Sequence, residues 1–424
     1  MKAGEIRGER LLAGGARFAP SPSLLASPLF ARLLAPAFRT ILDRIDARLR
    51  AGSLRAYLPD GTTRLLGGHA PGFEVEVRLK DWRALVRLAT QGSIGWYRAY
   101  EAGEWEASDM VALFALFSAN ARSLGGTARS SGPFRLLAMA AHRLNRNSRA
   151  GAARNISAHY DIGNDFYAAW LDPGMTYSSA LDVDEESGAD FLVEAQARKL
   201  DAIAARLGKP ARVLEIGCGW GGLAHRLAAG GAAVTAISLS REQLDWAQAC
   251  RGDAIDFRLQ DYRDVTGQYD AIVCVEMVEA LGREYWSEFL DCIARCLRPG
   301  GRAAIQFISM ADDLFETYAQ SADFIQAYVF PGGLLIKRSE FRRLAAERGL
   351  AWHDQADFGQ DYARTLNAWR KRFDAAVAEN RLPSGFDDRF VRLWRYYLAY
   401  CEGGFRAGTI DVHQVTLIGE QERE

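Results

Sequence analysis

The chain has 424 residues, of which 49% are hydrophobic and 25% are charged. A chain of this length and composition buries at least one large core, and we expect more than one domain. Six cysteines occur without a C-x-x-C pair. This pattern favours buried reduced thiols in a cytoplasmic protein over a disulfide framework or a metal site. No stretch suits a signal peptide or a membrane span, so we expect neither.

The charge is distributed unevenly, although the net charge is only -1. Residues 1–160 contain 23 basic and 12 acidic residues, whereas residues 161–424 contain 29 and 41. The stretch from Met110 to Tyr160 has no acidic residue and seven arginines, namely Arg122, Arg129, Arg135, Arg143, Arg146, Arg149 and Arg154. Such a segment suits an anionic membrane surface or nucleic-acid phosphates. Because the second half is acidic and lacks base-stacking motifs, we expect no nucleic-acid partner.

The N-terminal third predicts a small accessory domain. Residues 1–39 hold several prolines and predict an irregular arm, with a helix beginning at about Ala37 and ending at about Leu49. The strand-like runs SLRAYLP and FEVEVRL and the helical runs DWRALVRLATQG and DMVALFALFSANARSL predict an α+β domain over residues 40–125. Residues 126–153 predict a basic linker, containing either a short amphipathic helix or a solvated connector.

The pattern over residues 154–424 changes to alternating strands and helices. The predicted strands include VLEIG, AVTAISL, FRLQD, YDAIVCVEM and RAAIQFIS. This alternation predicts an α/β domain with a mostly parallel sheet and helices on both faces. Aromatic residues are frequent from about residue 310 to 405, where we expect a cap that excludes water. They are Phe315, Tyr318, Phe324, Tyr328, Phe330, Tyr362, Trp369, Trp394, Tyr396, Tyr397 and Phe405.

The stretch VLEIGCGWGG places Gly217, Gly219 and Gly222 at the G-x-G-x-x-G spacing of nucleotide-binding loops. A dinucleotide site also needs an acid about 20 residues further on, and none stands there. Glu215 precedes the loop, and its carboxylate repels a diphosphate but attracts a cation. S-adenosylmethionine carries a positive sulfonium and no phosphate. The loop therefore favours S-adenosylmethionine over a dinucleotide.

Several motifs resemble the cyclopropane-fatty-acid synthase and mycolic-acid cyclopropane synthase family of methyltransferases. They include HYDIGNDFY, LDPGMTYSSA, VLEIGCGWGGLA, VEMVEALG, YVFPGG, DYARTL and FRAGTIDVHQV, between about Ile156 and Glu420. The resemblance implies a Rossmann-like class I methyltransferase fold, with a mostly parallel seven-stranded sheet and a helical lipid-binding cap. The stretch GWYRAYEAGEWEASDM resembles the small domain of bacterial members, which implies a homodimer that engages lipid.

The resemblance also implies the reaction. Family members transfer the methyl group of S-adenosylmethionine to the cis double bond of an unsaturated phospholipid acyl chain, through a carbocation that aromatic faces can stabilise. It further implies a cytoplasmic protein, peripherally associated with the anionic inner face of the membrane. Whether the product is a cyclopropane or a methyl- or methylene-branched chain stays open. So do two other functions, a methyltransferase of a soluble nucleophile and a non-catalytic protein that binds lipid and S-adenosylmethionine.

The family motifs imply which residues contact S-adenosylmethionine. Ser238 and Gln243 are expected near the ribose. The stretch from Gln260 to Tyr262 is expected near the adenine, although capping of a helix N-terminus is an equal alternative for Asp261. The complete set of expected contacts is Tyr177, Ser178, Glu215, Gly217, Gly219, Ser238, Gln243, Gln260, Asp261 and Tyr262.

The base in the family is a bound bicarbonate, held by Cys, Glu, His and Tyr. The resemblance assigns Glu279 and Tyr362 to this site, whereas Ser179 stands in place of the Cys and Gln306 in place of the His. Both replacements can still donate a hydrogen bond to an anion. Either bicarbonate binds with altered donors and a ring forms, or another base such as Glu279 removes a different proton. The nearby Glu276 indicates only that acids are frequent in this segment.

Overall fold

The structure, a computed structural model, describes residues 7–16, 35–125, 151, 162–186, 188, 191–320 and 323–419. Most of the predicted basic linker, including its amphipathic helix, lies outside these residues. The chain divides into two compact units. The first unit comprises Met1–Asn145, Asp313–Pro331 and Gly385–Thr409, and the second comprises Arg146–Asp312, Gly332–Ser384 and Ile410–Glu424.

The α-helices of the described residues are numbered here in chain order. They are α1 (Glu9–Ala16), α2 (Ala35–Asp46), α3 (Arg83–Glu101), α4 (Met110–Ala119), α5 (Ala121–Leu124), α6 (Asn164–Ala168), α7 (Phe191–Leu207), α8 (Gly222–Ala229), α9 (Arg241–Arg251), α10 (Trp286–Cys296), α11 (Asp312–Ala319), α12 (Phe324–Tyr328), α13 (Arg338–Ala346), α14 (Gly359–Ala378) and α15 (Asp388–Arg406).

The β-strands of the same residues form two sheets. They are β1 (Ser53–Tyr57), β2 (Thr63–Gly67), β3 (Glu74–Leu79), β4 (Trp105–Ala107), β5 (Arg212–Ile216), β6 (Ala233–Ser238), β7 (Asp256–Leu259), β8 (Tyr269–Val275), β9 (Leu297–Met310), β10 (Ile336–Lys337), β11 (Leu350–Asp357) and β12 (Ile410–Gly419).

The first unit contains a sheet in the order β2-β1-β3-β4. Along β3, Val75, Val77 and Leu79 are buried and alternate with exposed residues, as expected for a sheet with one face against a core. The two strands predicted for this region match β1 and β3. The strands β2 and β4 were not predicted, because β2 lies in a stretch rich in glycine and threonine and β4 has only 3 residues.

Aromatic packing groups distant segments in the first unit. The ring of Tyr97 on α3 lies 5.0 Å from that of Phe324 on α12 and 5.1 Å from that of Tyr396 on α15, between centroids. Residues 313–331 and 385–409 therefore belong with the N-terminal segments. This division differs from the sequence-based one, which assigned both segments to a cap on the catalytic domain. Sequence order alone does not reveal such contacts.

The second unit contains the predicted α/β sheet, in the order β11-β12-β9-β8-β5-β6-β7, with β10 paired to β9. Strands β5 to β9 are parallel, and β12 is antiparallel to both of its neighbours. Buried apolar residues such as Val213, Ala236 and Val273 fill the contact between sheet and helices. The predicted α/β architecture with a mostly parallel sheet is confirmed, and the short β10 brings the described strands of this sheet to eight where seven were expected.

Two further predictions concern membranes and cysteines. Among the described residues, no helix combines the length and apolarity needed to cross a bilayer. All six cysteines are free thiols, and four of them are buried. The exposed Cys250 departs from the expectation that the thiols are buried.

Candidate active site

The expected site residues of the second unit gather at one edge of the sheet. Parallel strands end at the same edge, and the strand order reverses between β5 and β8. Such a reversal creates a crevice at the carboxyl ends of the strands, where open α/β sheets bind ligands. Glu215 lies at the end of β5, Ser238 at the end of β6, and Glu276 directly follows β8.

The glycine loop requires glycine at two positions for different reasons. Gly217 has φ +81°, and a Cβ there would approach Met277 Cγ to 2.8 Å. Gly219 has φ +53°, and the nearest atom to a Cβ there would be Gln243 Nε2 at 4.0 Å. Gly217 is thus required by close packing, whereas Gly219 borders open space. A ligand can therefore approach the backbone closely at Gly219.

Glu215 is buried beneath this loop, with 4% of its surface exposed. Burial raises the pKa of its carboxyl to about 8, although the Ala224 amide and the Lys199 charge act in the opposite direction. Its Oε2 atom makes no hydrogen bond within the described part of the chain. A buried carboxyl with an unsatisfied oxygen suits a cationic ligand, since a nearby positive charge would stabilise its ionised form.

The expected ribose residues lie together at the end of β6. Ser238 Oγ donates to Gln243 Oε1 at 3.5 Å and accepts from the Ser240 amide at 3.1 Å. Both Ser238 and Gln243 are buried. The Gln260 amide donates to the Ser238 carbonyl at 3.2 Å, which joins the end of β7 to the same cluster.

Asp261 caps the short 3-10 helix that begins at Tyr262. Its Oδ1 accepts from the Arg263 amide at 3.0 Å, and its carboxylate forms an ion pair with the Arg263 guanidinium at 2.7 Å. The capping alternative is therefore the one observed in this structure. Tyr262 is also buried, and its hydroxyl makes no hydrogen bond among the described residues.

The loop carrying Tyr177, Ser178 and Ser179 is anchored by α7. Gln196 Nε2 donates to the Ser178 carbonyl at 2.9 Å, and Lys199 Nζ donates to Ser178 Oγ at 2.7 Å. The Ser179 hydroxyl donates to the Ala180 carbonyl at 2.9 Å. The hydroxyl that the sequence offered as a donor to an anion thus has another acceptor in this structure, and the Ser179 amide is the group that donates to Glu276.

Glu276 receives three hydrogen bonds at the centre of the site. Its Oε1 accepts from the Ser179 amide at 2.9 Å and from Gln306 Nε2 at 2.7 Å, and its Oε2 accepts from the Tyr362 hydroxyl at 2.7 Å. The backbone of Glu276 has φ +48°. This left-handed conformation costs a residue with a side chain of the order of 1–3 kcal/mol and is often retained at functional sites.

The orientation of the Gln306 amide follows from its neighbours. Arg206 Nε can only donate, and it donates to Gln414 Oε1 at 3.2 Å. Gln414 Nε2 then donates to Gln306 Oε1 at 3.0 Å. This chain leaves Gln306 Nε2 as the donor toward Glu276, so the surrounding groups favour an ionised carboxylate.

Opposing influences act on the Glu276 carboxyl. Burial raises its pKa, whereas the hydrogen bonds from Tyr362, Ser179 and Gln306 and the charge of Lys199 lower it. The residue as a whole is only partly buried. Glu276 therefore combines a pKa raised by burial with three donors fixed on its carboxylate, and such a shift towards the operating pH suits a general base.

Glu279, the acid expected at this site, lies in a different environment. Its Oε1 accepts from the Ile308 amide, and its Oε2 makes no hydrogen bond within the described residues. Burial, and then the charge of Glu276, raises the pKa of Glu279 to about 8. Glu279 is therefore largely protonated at neutral pH, and Ser179, Gln306 and Tyr362 surround Glu276 instead.

Aromatic rings line the same region. The Trp369 ring lies 5.4 Å from that of Tyr177 and 6.0 Å from that of Tyr362, between centroids. Of the aromatic residues considered as cation stabilisers, Tyr362 and Trp369 belong to the second unit, and the other nine belong to the first.

Comparisons with known proteins agree with this arrangement. A family model described as mycolic acid cyclopropane synthetase matches residues 147–415. This chain belongs to that family. The tuberculostearic acid methyltransferase UfaA1 of Mycobacterium tuberculosis is 36% identical over 412 residues, which cover 91% of this chain and 93% of that protein. The cyclopropane-fatty-acyl-phospholipid synthase of Escherichia coli K12 is 35% identical over 360 residues, covering 83% of this chain and 89% of that protein.

A solved structure extends the comparison. Mycolic acid cyclopropane synthase CmaA1, complexed with SAH and CTAB, aligns with a TM-score of 0.58 at 27% identity and covers 63% of this chain and 98% of that one. The predicted family and class I methyltransferase fold are confirmed, and this cyclopropane synthetase family member is an S-adenosylmethionine-dependent methyltransferase. The open space at Gly219 and the unsatisfied oxygen of Glu215 fit a cationic ligand of this kind.

Motif matching did not identify the carboxylate that receives these three donors. It selected Glu279 because that residue occupies the family's glutamate position, and it interpreted Glu276 as incidental. One signal was available, since Glu276 immediately follows a strongly apolar strand, at the edge where ligands bind. Its left-handed backbone and its three donors were not apparent from the sequence.

One further cluster could hold a metal by distance alone. Asp357, Asp411 and His413 approach one another, but their atoms already have partners. His413 pairs with Asp357 and with Ser309, at 2.7 Å each, and Asp411 accepts from the Gly359 amide at 2.7 Å. These bonds join β9, β11, β12 and the start of α14, so the cluster has a structural role.

Proposed function

We propose that this enzyme adds the methyl group of S-adenosylmethionine to the cis double bond of an unsaturated phospholipid acyl chain, and that the Glu276 carboxylate removes the proton from the resulting carbocation. Membership of the family and similarity to a cyclopropane-fatty-acyl-phospholipid synthase support the substrate class. The observation that carries the assignment of the base is the set of three donors around Glu276.

When bound, S-adenosylmethionine supplies an electrophilic methyl group. We assign its binding to the strand-end residues identified above, with Glu215 and Gly219 facing it. An alkene is a weak nucleophile, so the enzyme must orient it and exclude water. Trp369 and Tyr362 offer aromatic faces that attract a cation without forming a bond to it. Glu276, which Tyr362 contacts, is then placed to accept the proton.

A separate bicarbonate does not fit this site. The Ser179 amide, Gln306 Nε2 and the Tyr362 hydroxyl already bind the Glu276 carboxylate. A second anion there would meet a like charge and few unused donors. The enzyme therefore carries its base on its own chain, and its turnover should not depend on added bicarbonate.

The experiment uses S-adenosylmethionine with a CD3 methyl group and vesicles of a cis-monounsaturated phosphatidylglycerol, in buffer freed of carbon dioxide. Mass spectrometry of the acyl chains should show products that retain two deuteriums, because one is lost to the base. Chemical reduction distinguishes a ring from a methylene branch. Activity only after bicarbonate addition would contradict the assigned base, and retention of three deuteriums would show that the proton is lost from the acyl chain instead of the methyl group. Absence of label in lipid would contradict the substrate.

Attachment to an anionic membrane surface is proposed from the basic segment between Met110 and Tyr160. Its support is compositional, since most of the segment lies outside the described residues. Replacing Arg143, Arg146 and Arg149 with alanine should weaken flotation with anionic vesicles at low salt, whereas neutral vesicles should bind neither protein. Unchanged flotation would show that the segment is only a linker. A homodimer, implied by the N-terminal resemblance, can be tested by sedimentation equilibrium.

A further inference from the structure

A lysine lies in the interior beside the proposed base. Lys199 on α7 is 1% exposed, and its Nζ donates to Ser178 Oγ at 2.7 Å. Burial lowers the pKa of its ammonium to about 8, while the negative charges of Glu276, Asp172 and Glu215 oppose this change. The ammonium therefore remains mostly protonated at neutral pH. Among these acids, Glu276 has the largest effect on it.

We propose that Lys199 is a positioning residue for the reaction, because its buried positive charge favours the ionised form of Glu276 and its bond to Ser178 holds the neighbouring amide against that carboxylate. This inference rests on the proposed function, since Lys199 acts only through Glu276. It explains why a costly buried charge occurs on a helix that does not itself contribute the base.

The positioning part of the argument depends on helix geometry. Gln196 and Lys199 are three residues apart on α7 and therefore share one face. Both hold Ser178, one through its carbonyl oxygen at 2.9 Å and the other through its hydroxyl at 2.7 Å. The next residue, Ser179, donates its amide to Glu276 at 2.9 Å. Both α7 residues thus position this amide, but only Lys199 adds a charge.

The electrostatic part depends on all the groups that face Glu276. Tyr362 contributes a neutral hydroxyl from α14, Glu279 lies in the turn after β8, and Lys199 acts from α7. Lys199 also faces Asp172, whose pKa burial raises, and Glu215, whose pKa burial raises to about 8. Burial thus drives all of these acids toward their neutral forms. The lysine charge opposes this tendency at Glu276.

The test compares Lys199→Met with Gln196→Met by measuring kcat against pH, with saturating S-adenosylmethionine and unsaturated phosphatidylglycerol vesicles. Loss of a nearby opposite charge raises the pKa of a carboxyl. We expect the acidic limb of kcat in Lys199→Met to move to higher pH. Gln196→Met disturbs the same amide but removes no charge, so it should move that limb less than Lys199→Met does.

Two controls keep the test decisive. Thermal unfolding and S-adenosylmethionine binding confirm that each variant is folded, and Lys199→Gln, which keeps a donor toward Ser178 without the charge, replaces Lys199→Met if the latter does not fold. A folded, active Lys199 variant with the limb at the wild-type pH would overturn the inference. Failure of the wild-type enzyme to label lipid would instead refute the proposed function.

Discussion

Replacing the Glu276 carboxylate with an amide separates its chemical role from its packing. In Glu276→Gln, the amide oxygen can still accept from the Ser179 amide and Gln306 Nε2, which both contact Oε1. The new NH2 group then faces the Tyr362 hydroxyl, which can reverse from donor to acceptor. All three partners stay satisfied, so we expect the free energy of unfolding to change by only about 1 kcal/mol.

The catalytic effect of the same change should be much larger. A positioned general base contributes roughly 10²–10⁴-fold to a rate. At about 1.36 kcal/mol for each tenfold step, its loss raises the barrier by about 2.7–5.4 kcal/mol. We therefore expect kcat to fall by roughly 100-fold to 10,000-fold. The affinity for S-adenosylmethionine should change little, since the glycine loop and Glu215 remain intact.

Glu279→Gln is the matched control, because it makes the same chemical change nearby. The pKa of Glu279 is raised to about 8, so its neutral form already predominates at pH 7 and closely resembles an amide. Its turnover at pH 7 should fall by less than about tenfold, well below the range of a lost base. Single-turnover transfer of the CD3 label and calorimetric titration with S-adenosylmethionine measure both variants. Equal losses in the two variants, or full activity of Glu276→Gln, would refute the assignment.

Three further changes test other parts of the site. Glu276→Gly removes the proposed base, relieves the left-handed strain and leaves space for a free anion. Added bicarbonate or formate should therefore partly restore the turnover of this variant. If neither anion restores turnover, an anionic base at this position is contradicted. Gly219→Ala should weaken S-adenosylmethionine binding at least tenfold. The control Gly231→Ala, at another left-handed glycine with open space, should lower only the stability of the protein. Equal affinities of the two variants for S-adenosylmethionine would contradict the proposal that the ligand lies against Gly219. Affinity for the cationic ligand should rise with pH up to about 8 as Glu215 ionises, and Glu215→Gln should abolish that dependence in calorimetry.

Much of the second unit could be predicted because its pattern is local. The apolar runs of β5, β6, β8 and β9 alternate with helices, and that alternation restricts the topology to a mostly parallel sheet. The glycine loop and Glu215 could likewise be interpreted by charge and spacing. Which segments of the chain belong to each unit could not be predicted, because ring contacts such as that of Tyr97 with Tyr396 join residues about 300 positions apart.

The choice between Glu276 and Glu279 depended on features that a motif does not encode. Both acids follow β8 within four residues, and either spacing allows a base at the edge of the sheet. The left-handed backbone of Glu276 turns its carboxylate toward Tyr362 and Gln306, whereas Glu279 contacts the Ile308 amide. The carboxylate that receives the donors is thus the one on the residue with the left-handed backbone.

The departures at Ser179 and Gln306 become consistent once the base belongs to the chain. A free anion must be recruited from solution, so its site has to offset the loss of translational freedom with strong interactions. A tethered carboxylate incurs no such cost, because its position is fixed when the protein folds. Neutral donors from an amide, a glutamine and a tyrosine then suffice, and the remaining need is to keep the acid ionised. In the role proposed for it, the buried charge of Lys199 contributes to that ionisation from the protein interior.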